Sequence, residues 1–265
     1  MPIITLTTDW KQNDFYAGAL KGTILTKCPD ACIVDISHQI PTFNTSQAAF
    51  VLKNSYTHFP EGTIHIIGVD AIPDKENNWV AVKLNGHFFI GCDNGIFSLI
   101  AKEKPEKIIR LNKKKVSHPT FPSLSLFAEA ACHLAKGRSI TELGKEISEL
   151  TTKIPLRATI DDKVITGSVI YIDSYRNAIT NITSELFDRV GKNLQFEIFI
   201  QSRKYKITRI NRTYQETSVG ELLALFNSLG LLEIAMNKGN LADLLDLSIG
   251  STIRVDFLDK KKKQI

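Results

Sequence analysis

Ile64-His65-Ile66-Ile67-Gly68-Val69-Asp70 is an apolar run that stops on an aspartate, and two neighbours in the first hundred residues do the same. They are Ile3-Ile4-Thr5-Leu6-Thr7-Thr8-Asp9 and Phe88-Phe89-Ile90-Gly91-Cys92-Asp93. Runs this short, rich in β-branched and aromatic residues and apolar nearly throughout, read as strands buried on both faces of a mostly parallel sheet. Ligands of open α/β sheets sit outside the carboxyl ends of the strands, so the three terminal carboxylates are candidates for one shared site.

Outward from these runs the periodicity switches to helical. Asp14 to Lys27 carries Phe15, Ala19, Leu20 and Ile24 and is stopped by Pro29, and Ser46 to His58 carries Ala49, Val51, Leu52 and Tyr56 before Pro60-Glu61-Gly62. Between them lies the short strand Ile33-Val34-Asp35-Ile36. The order β-α-β-α-β predicts a doubly wound layer. Leu126 to Lys136 predicts a further helix ending at Gly137, with His133 packed on it or reaching the surface. Beyond Thr151-Thr152-Lys153-Ile154-Pro155 the pattern becomes short strands with polar turns, at 163–172, 194–200, 205–210 and 253–257. The fold expected is α/β: an N-terminal doubly wound, mostly parallel sheet over residues 1–155 and a small C-terminal β-barrel domain over 156–265.

The 265 residues are 43% apolar, enough for buried cores and unlike a disordered chain. No basic segment followed by an apolar stretch opens the chain, and no apolar run nears the roughly 18 residues that span a bilayer. The expectation is a soluble cytoplasmic protein without a membrane partner. Cys28, Cys32, Cys92 and Cys132 form no CxxC pair, which predicts free buried thiols and neither a metal cluster nor a disulfide framework. The net charge of +5 gathers in Lys102 to Lys115 and in the tail Lys260 to Lys263. The first of these stretches contains no aromatic, so it reads as a solvated surface and not as a nucleic-acid interface.

GxGxxG, GxxxxGK[ST], HExxH and GxSxG are all absent. Strand-end aspartates without a glycine-rich phosphate loop favour a ligand held by hydroxyls or by positive charge. Nucleosides and amines fit that requirement better than nucleotides. Asn94-Gly95 reads as a turn and helix start, and Asp35 as a local cap or ion-pair partner.

Several segments, in order along nearly the whole chain, carry a resemblance. They are Thr7-Thr8-Asp9, Val34-Asp35-Ile36-Ser37-His38-Gln39-Ile40-Pro41, Phe59-Pro60-Glu61-Gly62-Thr63, Val69-Asp70, Asp93-Asn94-Gly95, Asp173-Ser174-Tyr175-Arg176-Asn177, Thr213-Tyr214 and Asn227 to Gly239. Together they resemble the S-adenosyl-L-methionine hydroxide adenosyltransferase family, relatives of the fluorinase and chlorinase. The resemblance implies a homotrimer with each site between the N-terminal domain of one subunit and the C-terminal domain of the next, S-adenosyl-L-methionine as substrate, and no cofactor. By matching motifs it places Asp9 on the ribose diol, Phe43 against the ribose, Asp173 facing the methionine ammonium and Ser228 its carboxylate. Asn177 would hydrogen-bond adenine, Tyr214 would stack on it with Tyr175 nearby, and the backbone from Glu233 to Met236 would read its edge. Tyr175 and Tyr214 read alternatively as barrel core, and Asp173 as the holder of a turn.

The chain departs from the family at the reacting centre. Its hydrolases resemble one another in an aspartate, an arginine and a histidine around the attacking water. Asp70 matches the aspartate, but Asn77 stands at the arginine spacing, and Thr120-Phe121 is followed by Pro122-Ser123 in place of histidine. Ser123 falls where the fluorinase has its halide-contacting serine. A halide about 4 Å from an ionised Asp70 is repelled by roughly 1 to 4 kcal/mol, and fluorinases have an uncharged tyrosine there. The expectation is therefore hydrolysis, with Asp70, Ser123 and Asn77 as the catalytic candidates and Lys75 or His118 as other replacements for the lost groups. A silent binder of S-adenosyl-L-methionine or adenosine, and a halide-dependent adenosyltransferase, remain as alternatives.

Overall fold

The computed structural model describes residues 1–73, 78–101, 103–112, 117–192 and 194–258. Asn77, Lys75 and the lysine tail lie outside these. The chain divides into two compact units, Met1–Pro155 and Leu156–Ile265.

In the first unit, β1 (Ile3–Thr8), α1 (Phe15–Lys27), β2 (Cys32–Ser37), α2 (Thr45–Lys53) and β3 (Ile64–Gly68) follow one another. The hairpin β4 (Trp79–Leu84) and β5 (His87–Cys92) comes next, turning at Asn85 and Gly86, both left-handed as a two-residue hairpin requires. Then come α3 (Ile96–Ile100), β6 (Lys107–Leu111), a π-helical turn at Ser123–Phe127 that leads into α4 (Ala128–Ala135), and β7 (Gly144–Glu146). The sheet order is β2-β1-β3-β5-β4-β6-β7. The first four are mutually parallel, and β4, β6 and β7 add antiparallel neighbours.

Side-chain alternation builds two cores on this sheet. Ile4, Leu6, Ile64, Ile66, Ala81 and Ile90 face α1 and α4, meeting Leu20, Ile24, Phe127 and Leu134. Ile67, Val80, Val82 and Phe89 face α2 and α3, meeting Ala48, Leu52, Phe97 and Ile100. Each fully buried Leu, Ile or Phe of this kind contributes about 1.5–3 kcal/mol of transfer free energy. The helix expected through His58 stops at Lys53. Asn54 Nδ2 and Ser55 Oγ donate to the carbonyls of Phe50 and Val51, capturing acceptors that a further turn would use. A separate 3-10 turn covers Tyr56–His58.

The second unit is a nine-stranded sheet ordered β12-β11-β16-β9-β10-β15-β14-β13, with β8 also on β9. Its strands are β8 (Thr159–Asp161), β9 (Val164–Ile172), β10 (Ala178–Thr183), β11 (Gln195–Ile200), β12 (Ser202–Ile207), β13 (Ile210–Asn211), β14 (Leu222–Phe226), β15 (Leu231–Met236) and β16 (Thr252–Leu258). The sheet curls until β12 approaches β14, a half-barrel around Ile165, Val169, Ile198, Leu232, Ile234 and Val255. Helix α5 (Ser184–Gly191) closes one end through Phe187, whose ring packs edge-on to Phe196, Phe226 and Phe257. The strand expected at 205–210 is displaced: β12 ends at Ile207, and Ile210–Asn211 pairs separately and in parallel with β14.

All four cysteines are free, three of them buried and Cys32 half-buried. Among the described residues no helix is long and apolar enough to cross a membrane.

At the amino end of the parallel strands, His65 and His87 form a buried pair, with Nε2 of one 3.2 Å from Nδ1 of the other and Thr5 Oγ1 2.7 Å from His65 Nδ1. Burial, and secondarily His87, push His65 down to about 3. The unfolded chain takes up this proton near pH 6.5 and the folded chain does not until about pH 3, so stability is full above pH 6.5 and falls on acidification through that window. The expected slope is roughly 1.4 kcal/mol per pH unit for one proton. Denaturant titrations between pH 7.5 and 4 should show it, and His65→Gln should reduce it; a flat profile would refute the assignment.

Candidate functional site

The connection from β1 through α1 to β2 runs to one side of β1, and the connection from β2 through α2 brings β3 to its other side. The two helices therefore sit on opposite sheet faces, and a crevice opens at the carboxyl ends of β1 and β3. Asp9 follows the first strand directly, and Asp70 follows the second by two residues. Both line a cavity of about 420 Å³, together with Asp14, Lys11, Phe43 and Ser123.

Three of its lining residues, Lys11 (φ 65°), Phe43 (φ 61°) and Asp70 (φ 47°), hold left-handed backbone, which disfavours any residue with a Cβ. Each is fastened by a hydrogen bond. Lys11 N–H donates to His38 O (2.8 Å), Phe43 N–H donates to Asp9 Oδ2 (2.9 Å), and Asn94 Nδ2 donates to Asp70 O (3.0 Å). His38 is itself held from behind: Thr8 Oγ1 is 2.7 Å from Nδ1, and Asp35 Oδ1 is 3.1 Å from Nε2. Burial raises the Asp35 pKa, but Lys21 and His38 outweigh it and hold the carboxyl below its usual range. Asp35 is thus the local ion-pair partner expected of it.

One wall is aromatic. Trp10, Tyr16 and Phe121 meet pairwise with centroids 5.0–6.0 Å apart, Phe121 standing edge-on to both of the others. The wall depends on Gly68, where a Cβ would lie 2.6 Å from the Trp10 ring. Opposite in character, Ser123 is wholly buried where the π-helical turn begins, and among the described residues its Oγ has no hydrogen-bond partner.

The third strand-end carboxylate does not join the other two, which corrects the expectation of one shared site. Asp93 accepts Thr151 N–H with both oxygens (3.0 and 3.1 Å), a fixed backbone donor 58 residues away. Burial raises its pKa, opposed by that N–H. Asn94-Gly95 is the turn before α3, with Gly95 at φ 91°, as the sequence indicates. His118 is exposed and outside the cavity lining, and His133 reaches Ser139 O at 2.9 Å.

The second unit gathers its own polar residues. Asp173 accepts Asn177 N–H at 2.8 Å and Asn177 Nδ2 at 3.2 Å, so it holds the turn that carries Tyr175 and Arg176. Tyr175 is exposed and Asn177 is buried. Tyr214 donates from its hydroxyl to Glu233 Oε1 (2.7 Å); burial and this carboxylate raise the phenol pKa. Neither tyrosine is barrel core: the rings are 76% and 43% exposed. Ser228 is exposed in the turn between β14 and β15, and Met236 packs at the edge of the half-barrel core. Trp10, Tyr16, Lys11, Asp14, His38 and Asn227 were not singled out from sequence. Trp10, Lys11, Asp14 and Tyr16 have only position as a signal, beside Asp9 or at the start of the first helix, whereas His38 and Asn227 lie inside segments that carry the resemblance.

Family models cover most of the chain: the SAM hydroxide adenosyltransferase N-terminal domain matches residues 4–144 and its C-terminal domain residues 167–254. The chain is 29% identical to the (R)-S-adenosyl-L-methionine hydrolase of Methanocaldococcus jannaschii, covering 98% of this chain and 95% of that protein. It is also 29% identical to the protein of the same description from Thermus thermophilus, covering 94% and 97%. A crystal structure of an uncharacterized conserved protein from Thermotoga maritima superposes with a TM-score of 0.86 at 26% identity, over 96% of this chain and 99% of that one.

Ser123→Ala removes a buried hydroxyl that has no partner, so it should stabilise the protein by about 1 kcal/mol, read as a rise of a few degrees in Tm without ligand. A fall in Tm would mean that the hydroxyl is satisfied in solution.

Proposed function

This chain belongs to the SAM hydroxide adenosyltransferase family, and from that we propose that it hydrolyses S-adenosyl-L-methionine to adenosine and L-methionine. The carrying observation is the meeting, in one cavity at the sheet's switch point, of Asp9 and Asp70 from the ends of two parallel strands. Water held by the Asp70 carboxylate attacks the ribose C5′ in line. The C5′–S bond breaks with its electron pair going to sulfur, the neutral thioether of methionine leaves, and the proton of the attacking water passes to Asp70 and on to solvent. No acid is needed for the leaving group, because the sulfonium departs without a charge.

Asp9 remains able to accept from a ribose diol, since a carboxylate has acceptor sites beyond the one that Phe43 N–H uses. Asp9, Asp14 and Asp70 outnumber Lys11 in the lining, which favours a sulfonium and disfavours a halide nucleophile. A homotrimer in which the second unit of one subunit completes the cavity of another accounts for the bare aromatic faces of Phe43 and Tyr175, 71% and 76% exposed in the single chain. Light scattering at the mass of three chains tests that assembly.

One observation favours a second reading, a binder of S-adenosyl-L-methionine or adenosine with little turnover. Among the described residues the cavity lining contains neither arginine nor histidine. Loss of positioning and proton-transfer groups of that kind costs roughly 10²- to 10⁴-fold in rate.

Chromatography of S-adenosyl-L-methionine after incubation with the protein, in buffers with and without chloride, separates the readings. Adenosine and methionine in both buffers are expected. A product that appears only with chloride would assign Ser123 to an anion, and binding without product would favour the silent binder. Asp70→Asn should lower turnover by at least ~10²-fold with affinity nearly unchanged, whereas Asp9→Ala should weaken binding by roughly 10- to 100-fold. Normal turnover in the first variant would overturn the assignment of Asp70.

A further inference from the structure

Glu233 lies in the middle of β15 and is 2% exposed, yet no ion pair to it is present among the described residues. Its two oxygens are used separately. Oε1 accepts from the Tyr214 hydroxyl at 2.7 Å, and Oε2 accepts from Asn227 Nδ2 at 3.1 Å. Asn227 turns its other amide atom the opposite way: Oδ1 accepts the N–H groups of Leu229 (3.0 Å) and Leu231 (3.2 Å), which shapes the turn that presents Ser228. A buried carboxylate is costly unless hydrogen-bonded, and both bonds made here lead outward, to a tyrosine 43% exposed and to a four-residue turn. The arrangement is a bridge: one end fixes the tilt of an aromatic ring, the other fixes a turn, and the two meet on one carboxylate.

We propose that Glu233 is the positioning residue that sets Tyr214 and the Ser228 turn together, so that the adenine platform and the carboxylate-binding turn keep one spacing matched to S-adenosyl-L-methionine. The inference rests on the reading of Tyr214 and Ser228 as substrate contacts. It adds a side-chain role to the backbone role expected for Glu233: the carboxylate acts through its neighbours Tyr214 and Asn227.

A ring tethered through its hydroxyl loses little freedom on binding, because its orientation is already chosen. Release of the tether leaves the contacts in place but makes the ligand order them, so affinity falls while the chemistry of the bound complex is unaffected. A rise in KM with kcat retained is the signature, and general damage to the fold would not produce it.

The experiment is calorimetric binding of adenosine and of S-adenosyl-L-methionine, with turnover where present, for Glu233→Gln, Tyr214→Phe, the double variant and Tyr214→Ala. Tyr214→Phe keeps the ring and removes only the tether at a part-exposed position, so it remains informative if Glu233→Gln folds poorly. Each single tether variant should weaken adenosine by about 5- to 20-fold, the double variant should be no weaker than the worse single, and Glu233→Gln should weaken S-adenosyl-L-methionine more than Tyr214→Phe does because it also frees the turn. Wild-type affinity in Glu233→Gln and Tyr214→Phe with weakened binding in Tyr214→Ala would overturn the bridge and leave the platform standing. Unchanged adenosine affinity in Tyr214→Ala would overturn the reading of the platform itself, and multiplicative losses in the double variant would overturn the coupling.

Discussion

Two crossovers leave the neighbourhood of β1 in opposite directions, and that single constraint sets what the first unit can be. It sends α1 and α2 to opposite faces of the sheet, gives the sheet two cores, and leaves the carboxyl ends of β1 and β3 uncovered between them. Whatever follows those strands must line the opening. Here that is Asp9 with Trp10 and Lys11 on one side, and Asp70 with Ala71 and Ile72 on the other. Backbone in left-handed conformation at Lys11, Phe43 and Asp70 is what allows three chains of loop to converge so closely, and each of the three is secured by a hydrogen bond from outside its own loop.

The polar parts are arranged in layers. Behind Asp9 stand Thr8, His38, Asp35 and Lys21, joined one to the next. Such chains contribute little net stability, since each bond replaces one to water, but leaving any member unpaired in the interior is costly. They act mainly to hold one geometry. Ser123 and Ser125 differ, two buried hydroxyls without a partner among the described residues in one π-helical turn, a local geometry frequent at functional sites.

Much of this was legible in the sequence. The first strands and helices declared themselves because β-branched runs and 3.6-residue spacing are local properties, and the α/β class followed from their alternation. The strands β10, β14 and β15 were harder, because Ala178 to Thr183, Leu222 to Phe226 and Leu231 to Met236 are short apolar runs that periodicity alone does not assign. Asp93 misled because a strand-end aspartate looks the same whether it meets a ligand or a backbone N–H, and its partner Thr151 is 58 residues away. Tyr175 and Tyr214 followed the resemblance and not the pattern, since an aromatic in a short strand region reads equally as core. Glu233 could not be read at all in its bridging role, as nothing local links it to Tyr214 nineteen residues earlier.

The corner at Asp93, Asn94 and Gly95 has neighbouring residues with divided duties. Asp93 grips Thr151, Asn94 grips the Asp70 carbonyl, and Lys153 lies across Gly95 with its amine on Thr45 Oγ1 at 2.7 Å. Ser98 adds a bond to the Lys153 N–H at 2.8 Å. The closing strap of the first unit is therefore belted to the corner that seats Asp70. The residues that end the first unit thus brace, through Asp93, the neighbour of the asparagine that holds the Asp70 carbonyl, so the last stretch of that unit helps to fix the first unit's cavity as well as to finish its fold.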